Sequence, residues 1–244
     1  MLELKNICFS AEEDGVKKDI LKNINLTIDE RFVAITGPNG GGKSTLIKII
    51  AGVLEPTSGQ ILFNGTDITH MSITERARLG VSYAFQQPVR FKGITVFDLI
   101  TLASGRKLSI AEACEYLSEV GMCARDYVNR EVNGSLSGGE LKRIEIATIL
   151  ARGTELSLFD EPEAGIDLWS FGSLITVFEN LYKKIKGNII IISHQERILN
   201  IADRIIVLAS GAVSGDGPKE QVMPSLMRTS NICTKLAENE GGMR

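Results

Sequence analysis

Apolar residues along the first third of the chain recur with the period of extended structure. Leu2, Leu4 and Ile7 fall on one strand and Ile20-Leu21 through Ile28 on a second, with the polar tip Ala11-Glu12-Glu13-Asp14-Gly15 between them. Phe32-Val33-Ala34-Ile35-Thr36 predicts a short buried strand that runs directly into Gly37-Pro38-Asn39-Gly40-Gly41-Gly42-Lys43-Ser44. Ser44 to Ala51 is rich in apolar residues and stops at Gly52, the signature of a helix. A turn at Pro56-Thr57-Ser58-Gly59 precedes a hairpin, Gln60-Ile61-Leu62-Phe63 closing through Asn64-Gly65. Gly80 to Phe85 predicts a further strand, ending in Gln86-Gln87-Pro88.

From Ile94 to about Val128 the period becomes helical, with Val96, Leu99, Ile100 and Ala103 on one face and Ala113, Tyr116, Leu117 and Val120 on another. This is a helical insertion between two β-rich halves. Leu141 to Leu150 predicts a helix with Ile144, Ala147 and Thr148 on one side, and Leu156 to Phe159 a short buried strand. Leu168 to Ile185 carries Phe171, Leu174, Ile175, Phe178, Leu181 and Tyr182 at three-and-four spacing, which reads as a core-facing helix. Asn188 to Ser193 and Arg204 to Leu208 are β-branched strands. Strands alternating with helices predict an α/β fold with a mostly parallel sheet and helices on both faces. No internal repeat is visible, and Asn239 to Arg244 read as a frayed end.

With 244 residues, 43% of them hydrophobic, the chain can build a sizeable core. Its net charge of -3 and pI of about 5.6 argue against nucleic-acid partners or adsorption to an anionic membrane. Met1 to Asn6 alternates in charge and has no secretory apolar core, and no apolar run reaches the roughly 18 residues of a membrane span. A cytoplasmic protein without direct membrane insertion is expected. Cys8, Cys114, Cys123 and Cys233 are scattered, which suits reduced thiols acting as small buried hydrophobes, with metal or cluster ligation as the alternative.

Gly37 to Ser44 fits G-x-x-x-x-G-K-[ST] in the strand-loop-helix context that a phosphate-binding loop requires. Glycines let backbone N–H groups converge on phosphate oxygens, and the helix N-terminus adds partial positive charge. Lys43 is placed to reach the β- and γ-phosphates and Ser44 to hold Mg²⁺. Asp160 and Glu161 end an apolar strand, where ligands bind in α/β sheets, so Asp160 can orient Mg²⁺ and Glu161 can polarise an attacking water. Two acids opening a loop is the alternative. His194 follows another strand and can contact a γ-phosphate and Glu161, or be an ordinary strand-end histidine. His70 reads as surface.

Leu136-Ser137-Gly138-Gly139-Glu140 is a second glycine-rich element, which by itself reads as a helix cap at Ser137. Together with Gln86, Glu161, Asp167 and His194 in this order, it resembles the signature of the ATP-binding-cassette ATPases over essentially the whole chain. The resemblance implies an ATPase with a RecA-like, mostly parallel core, an antiparallel β subdomain and a helical subdomain. It implies one cassette over residues 1–244, the core formed by 1–88 and 150–244 and the helical part by 89–149. The cofactors would be ATP and Mg²⁺. Gly37, Pro38, Asn39, Gly40, Gly41, Gly42, Lys43, Ser44 and Thr45 would bind nucleotide in one subunit, and Ser137, Gly138, Gly139 and Asp167 in a head-to-tail homodimer. Ser44, Gln86 and Asp160 would serve the metal, and Glu161, His194 and Gln86 would be catalytic. One departure concerns the aromatic that the family stacks on adenine: the corresponding segment is Phe9-Ser10-Ala11-Glu12, with Phe9 early. Another is the D-loop, Ala164-Gly165-Ile166-Asp167, which keeps the aspartate behind small residues.

Within the superfamily the chain is most similar to the Suf-type iron-sulfur cluster assembly ATPases. Gly65 to Arg78, Ala84 to Pro88, Gly138 to Ile146 and Ser193 to Leu199 carry that similarity. The implied partner is a soluble iron-sulfur scaffold protein. Pro162-Glu163 departs toward the transporters, so the alternative is the ATP-binding subunit of a membrane transporter with a transmembrane permease partner. In either case Val89 to Phe97, with Phe91 and Phe97 as anchors, is expected to line the docking groove. A DNA-repair or translation ATPase is disfavoured by the lack of a coiled-coil insertion, a second cassette or a basic face.

Overall fold

The computed structural model describes residues 1–13, 15–87 and 89–227. The elements are β1 (Leu2–Glu13), β2 (Val16–Ile28), β3 (Phe32–Thr36), α1 (Lys43–Ala51), β4 (Ser58–Phe63), β5 (Thr66–Asp67), α2 (Ile73–Arg78) and β6 (Val81–Ala84). A helical stretch follows: α3 (Val96–Ser104), α4 (Ile110–Glu119), α5 (Ala124–Tyr127) and α6 (Gly138–Arg152). The chain continues through β7 (Leu156–Asp160), α7 (Leu168–Lys184), β8 (Asn188–Ile192), α8 (Glu196–Leu199), β9 (Arg204–Ala209) and β10 (Ala212–Pro218). Cys233 and the stretch from Asn239 to Arg244 lie outside the described residues.

Two sheets organise these elements. The six-stranded sheet has the order β10-β9-β3-β8-β7-β6, parallel throughout except for β10. A four-stranded antiparallel sheet has the order β2-β1-β4-β5. The parallel strands are buried on both faces, and their side chains divide by alternation. Phe32 and Ala34 of β3, with Ile189 and Ile191 of β8, join a core built with α3, α4, α6 and α7. Val33, Ile35, Ile190 and Ile192 face the opposite way, into a core shared with α1 and the antiparallel sheet. One face is therefore covered by helices. The other is covered by a helix and a second sheet.

Sequence and structure part in several places. β1 and β2 reach into the expected polar tip, pairing Glu12 with Lys17 and Ala11 with Lys18, because on an edge hairpin the ladder tolerates polar side chains facing solvent. The elements α2, α8 and β10 had no counterpart in the hydrophobic pattern. α2 is held by buried Arg76, whose guanidinium donates to Ile49 O at 2.6 Å, Ile50 O at 2.8 Å, Thr69 O at 2.9 Å and Met71 O at 3.0 Å. Two of those carbonyls belong to the last turn of α1, where helix geometry leaves carbonyls short of intrahelical partners; Ile49 O also accepts the Gly52 N–H at 3.1 Å. Arg76 thus fixes the far end of the helix that the glycine loop begins. Cys8 and Cys114 are half-buried, but Cys123 is exposed at the start of α5, so the buried-hydrophobe expectation does not hold there.

Candidate active site

The site lies at the carboxyl edge of the parallel sheet. β3, β6, β7 and β8 run the same way, and in register Asp160 stands beside Ile192, which stands beside Ile35. Four loops consequently leave the sheet side by side: the glycine loop after β3, Gln86 after β6, Glu161 after β7 and His194 after β8. Residues distant in sequence become neighbours through this register alone.

The glycine loop packs against β9 so closely that only glycine fits. Gly37 has φ 131°, and a Cβ there would lie 2.1 Å from Leu208 O; one on Gly41 would lie 2.7 Å from the same oxygen. Asn39, Gly40, Gly41, Gly42, Lys43, Ser44 and Thr45 line a cavity of 680 Å³, with Glu161 and the β1–β2 hairpin on its sides. Gly37, Pro38 and Asn39 line a second cavity on the other side of the loop, together with His194. Lys43 is 5% exposed, and its ammonium donates to Gly37 O at 2.8 Å and Pro38 O at 3.0 Å. Burial pushes its pKa down, while the Glu161 and Asp160 carboxylates oppose that shift.

Ser44 Oγ donates to Asp160 Oδ1 at 2.9 Å, and Asp160 is 2% exposed. A hydroxyl and a carboxylate paired at a helix N-terminus form a hard-oxygen donor set, which suits Mg²⁺ completed by phosphate oxygens. No group of three or more His, Cys, Asp or Glu converges on a metal position among the described residues. Tyr83, absent from the sequence-based site, donates to Asp160 Oδ2 at 3.2 Å. No local signal marked it, since its place comes from β6 lying next to β7.

Glu161 is held at φ 44°, a conformation uncommon for a side chain of its size, directly after β7. Its carboxylate accepts the Gln86 amide N–H at 3.0 Å and lies 3.6 Å from His194 Nε2. Burial, then the Lys43 ammonium, holds the His194 pKa below its ordinary value, with Glu161 opposing. The neutral imidazole beside a carboxylate can exchange hydrogen bonds with water or phosphate without carrying charge. His70 pairs with Glu55 at 2.6 Å on the surface, away from these groups.

Ser137 caps α6 through a reciprocal box: its Oγ accepts the Glu140 N–H at 3.3 Å, and its own N–H donates to Glu140 Oε2 at 2.6 Å. Against burial, the Tyr127 hydroxyl and the Ser137 backbone and side chain hold the Glu140 pKa below its ordinary value. The Gly138 and Gly139 N–H groups belong to the first turn, which has no intrahelical acceptors. Gly138 sits near the D-loop, where an added Cβ would be 3.6 Å from Gly165 O. Asp167 is exposed at the end of that loop. None of residues 136–140 is among those lining the 680 Å³ cavity.

Beside the Gln86 loop, Phe85, Val89, Phe91, Leu99, Leu141 and Ile144 are among the walls of a 230 Å³ groove. Phe97 packs on the helical core instead of joining Phe91 there. Lys142 of α6, 2% exposed, donates to Phe85 O and to Glu145 Oε2 at 3.1 Å, so the signature helix is tied to the residue before Gln86. Burial raises the Glu145 pKa and Lys142 opposes it.

A family model described as ABC transporter matches residues 21–164. An uncharacterized ABC transporter ATP-binding protein of Methanocaldococcus jannaschii is 44% identical over 228 residues, covering 89% of this chain and 90% of that protein. A probable ATP-dependent transporter, ycf16, of Cyanophora paradoxa is 34% identical over 236 residues, with 90% and 89% covered. Among solved structures, the post-hydrolysis dimer of the ATP-binding cassette MJ0796 bound to ADP and Pi superposes with a TM-score of 0.78 at 26% identity, covering 90% of this chain and 99% of that one. The fold, the glycine loop with its Ser44–Asp160 pair and these relationships agree: the chain belongs to the ATP-binding-cassette family and is an ATPase whose cofactors are ATP and Mg²⁺.

Proposed function

We propose that two copies of this chain close head to tail around two MgATP and that closure and reopening move a bound partner. The observation that carries this reading is the separation of the two phosphate-binding elements. The glycine-loop cavity takes none of its walls from residues 136–140, whose first-turn N–H groups carry partial positive charge at the start of α6. A second copy brings its α6 to that cavity. The relative MJ0796 is described as dimeric, which supports the same arrangement.

In this reading the Gly37 to Thr45 loop and Lys43 hold the phosphates, and Ser137, Gly138, Gly139 and Asp167 meet them from the other copy. Ser44, Gln86 and Asp160 would hold Mg²⁺, which would neutralise charge on the phosphate oxygens. Glu161 takes the proton of the attacking water, and Gln86 and His194 orient it. Residues 89–149 form the helical part that moves against the core of 1–88 and 150–244. Hydrolysis cuts the γ-phosphoryl group from ADP, and its departure as phosphate removes the charge that holds the copies together.

The partner we infer is a soluble iron-sulfur scaffold protein in the cytoplasm. Support comes from the Suf-like runs at Gly65 to Arg78 and Ser193 to Leu199, and from the groove beside Gln86. The second reading, the ATP-binding subunit of a membrane transporter, is favoured by Pro162 and by the transporter names of the relatives. No helix among the described residues is long and apolar enough to cross a membrane, so a permease would be a separate chain. Affinity purification of the full chain from native lysate, with the recovered protein identified and assayed, decides between them. A soluble partner that assembles clusters supports the first reading; an integral membrane protein supports the second.

A further inference from the structure

Glu163 lies behind the reacting edge and touches the loop that presents His194. Its Oε1 accepts the Ser193 hydroxyl at 2.5 Å, and that hydroxyl in turn accepts the Gln195 N–H at 3.0 Å. Ser193 is fully buried, and its N–H donates to Ile35 O at 3.2 Å. The turn 193–195 is therefore tied to β3 through its backbone and to Glu163 through its one hydroxyl. Glu163 is itself fixed relative to Glu161: Pro162 separates them, Ala164 N donates to Glu161 O at 2.9 Å, and Ile166 N donates to Glu163 O at 3.2 Å.

The second carboxyl oxygen makes the arrangement costly. Glu163 Oε2 is buried and finds no hydrogen-bond partner among the described residues. A buried acceptor left unsatisfied destabilises a fold, and a cost of that kind calls for an explanation beyond packing. Burial raises the Glu163 pKa, and the charge of Glu161 adds to this. The Ser193 hydroxyl, then the backbone N–H groups of Glu163 and His194, pull the other way.

We propose that Glu163 is a positioning residue for ATP hydrolysis, which through Ser193 fixes the turn that holds the His194 ring beside the Glu161 carboxylate. The inference rests on the roles proposed above for Glu161 and His194. A space-filling role makes a different forecast: loss of stability without a selective loss of turnover.

Steady-state hydrolysis by the full chain separates the two. Glu163→Ala lowers kcat by about 10- to 100-fold, the usual effect of removing a group that orients a site residue, and leaves KM for MgATP within about twofold. Glu163→Gln, whose amide oxygen can still accept the Ser193 hydroxyl, restores most of that loss. Ser193→Ala breaks the same link from the other side, reproduces the kcat effect, and decides the matter if Glu163→Ala does not fold. Glu163→Ala combined with His194→Ala is no slower than His194→Ala alone, since both act through one ring. Wild-type kcat in Glu163→Ala or Ser193→Ala, or losses that multiply in the double variant, would overturn the inference. The underlying site reading fails separately, if His194→Ala itself turns over at the wild-type rate.

Discussion

Tyr83 donates its hydroxyl to Asp160 Oδ2 at 3.2 Å while Ser44 holds the other oxygen at 2.9 Å, so both oxygens of this buried carboxylate are oriented from within the chain. Burial and the Asp160 charge drive the Tyr83 pKa far upward, which keeps the phenol protonated and donating. The same residue lines the groove beside the Gln86 loop. Tyr83→Phe keeps the fold and frees Asp160 on one side. Its ATPase activity is expected to need about tenfold more Mg²⁺ for half-maximal turnover, the lower end of effects for groups that orient a ligand. A Mg²⁺ titration with unchanged midpoint would show that Ser44 orients Asp160 unaided.

Glu161 sits within reach of both Gln86 and His194, and no other carboxylate is placed so between them among the described contacts. Glu161→Gln preserves size and removes the proton acceptor. Turnover is expected to vanish while MgATP still binds and holds two copies together. Light scattering of the variant with MgATP reads the mass directly, and a monomer at high protein concentration counts against the head-to-tail closure.

His194 gives a test of the site's electrostatics in solution. Its pKa is lowered from 6.5 by burial and by Lys43, and Glu161 opposes the change. In the unfolded chain the imidazole takes up its proton near 6.5, in the folded chain only at lower pH. Between those values the unfolded state binds more protons, so this residue costs stability as pH falls through 6.5 and stops adding to the cost below the folded value. In the nucleotide-free protein the His194 NMR signal should therefore titrate below 6.5. Lys43→Ala should move the midpoint up and Glu161→Gln should move it down; with only His70 as the other histidine, assignment is direct.

Much of the site was legible because its signals are local. The glycine loop, the strand before it and the acids ending β7 are each read from fewer than about ten neighbouring residues. Arg76 was not legible in this way. Its side chain is charged and sits in a six-residue helix, and its burial depends on carbonyls of Ile49, Ile50, Thr69 and Met71 that only the fold assembles. A partial signal did exist, since Ser72 and Glu75 form the capping box that marks the start of α2. β10 was hidden by its glycines and declares itself only by pairing with β9. Tyr83 reads as one more strand residue until β6 and β7 are in register.

Because Arg76 joins α1 to α2 through carbonyls alone, its removal should be felt as stability. Arg76→Met keeps the buried stem but takes the guanidinium donor from Ile50 O and Thr69 O, while Ile49 O keeps the Gly52 N–H. At about 1–3 kcal/mol for each buried group left unsatisfied, a loss of about 3 kcal/mol is expected. Urea unfolding should show a lower midpoint at constant slope. Arg76→Lys, with a single ammonium in place of the fork, should recover only part of it.

The nucleobase end of the cavity invites a last prediction. Phe9 pairs with Leu21 on β2 and packs against the core, leaving Ala11, Glu12, Lys18, Asp19, Ile20 and Lys22 as the hairpin's contribution to the cavity walls. Ala11 is paired directly with Lys18 in the ladder, so the wall offers a methyl group and charged side chains where a stacking ring would grip a base. Stacking of a base on an aromatic contributes about 1–3 kcal/mol. Without it, affinity comes mainly from the phosphates, and MgATP and MgGTP should bind within about threefold of each other. Ala11→Tyr supplies the ring and should tighten MgATP by about tenfold, one stacking interaction's worth. Calorimetry with both nucleotides reads each value. A wild-type preference for MgATP of a hundredfold or more would require base-specific hydrogen bonds from these walls, with Lys18 and Glu12 the first residues to replace.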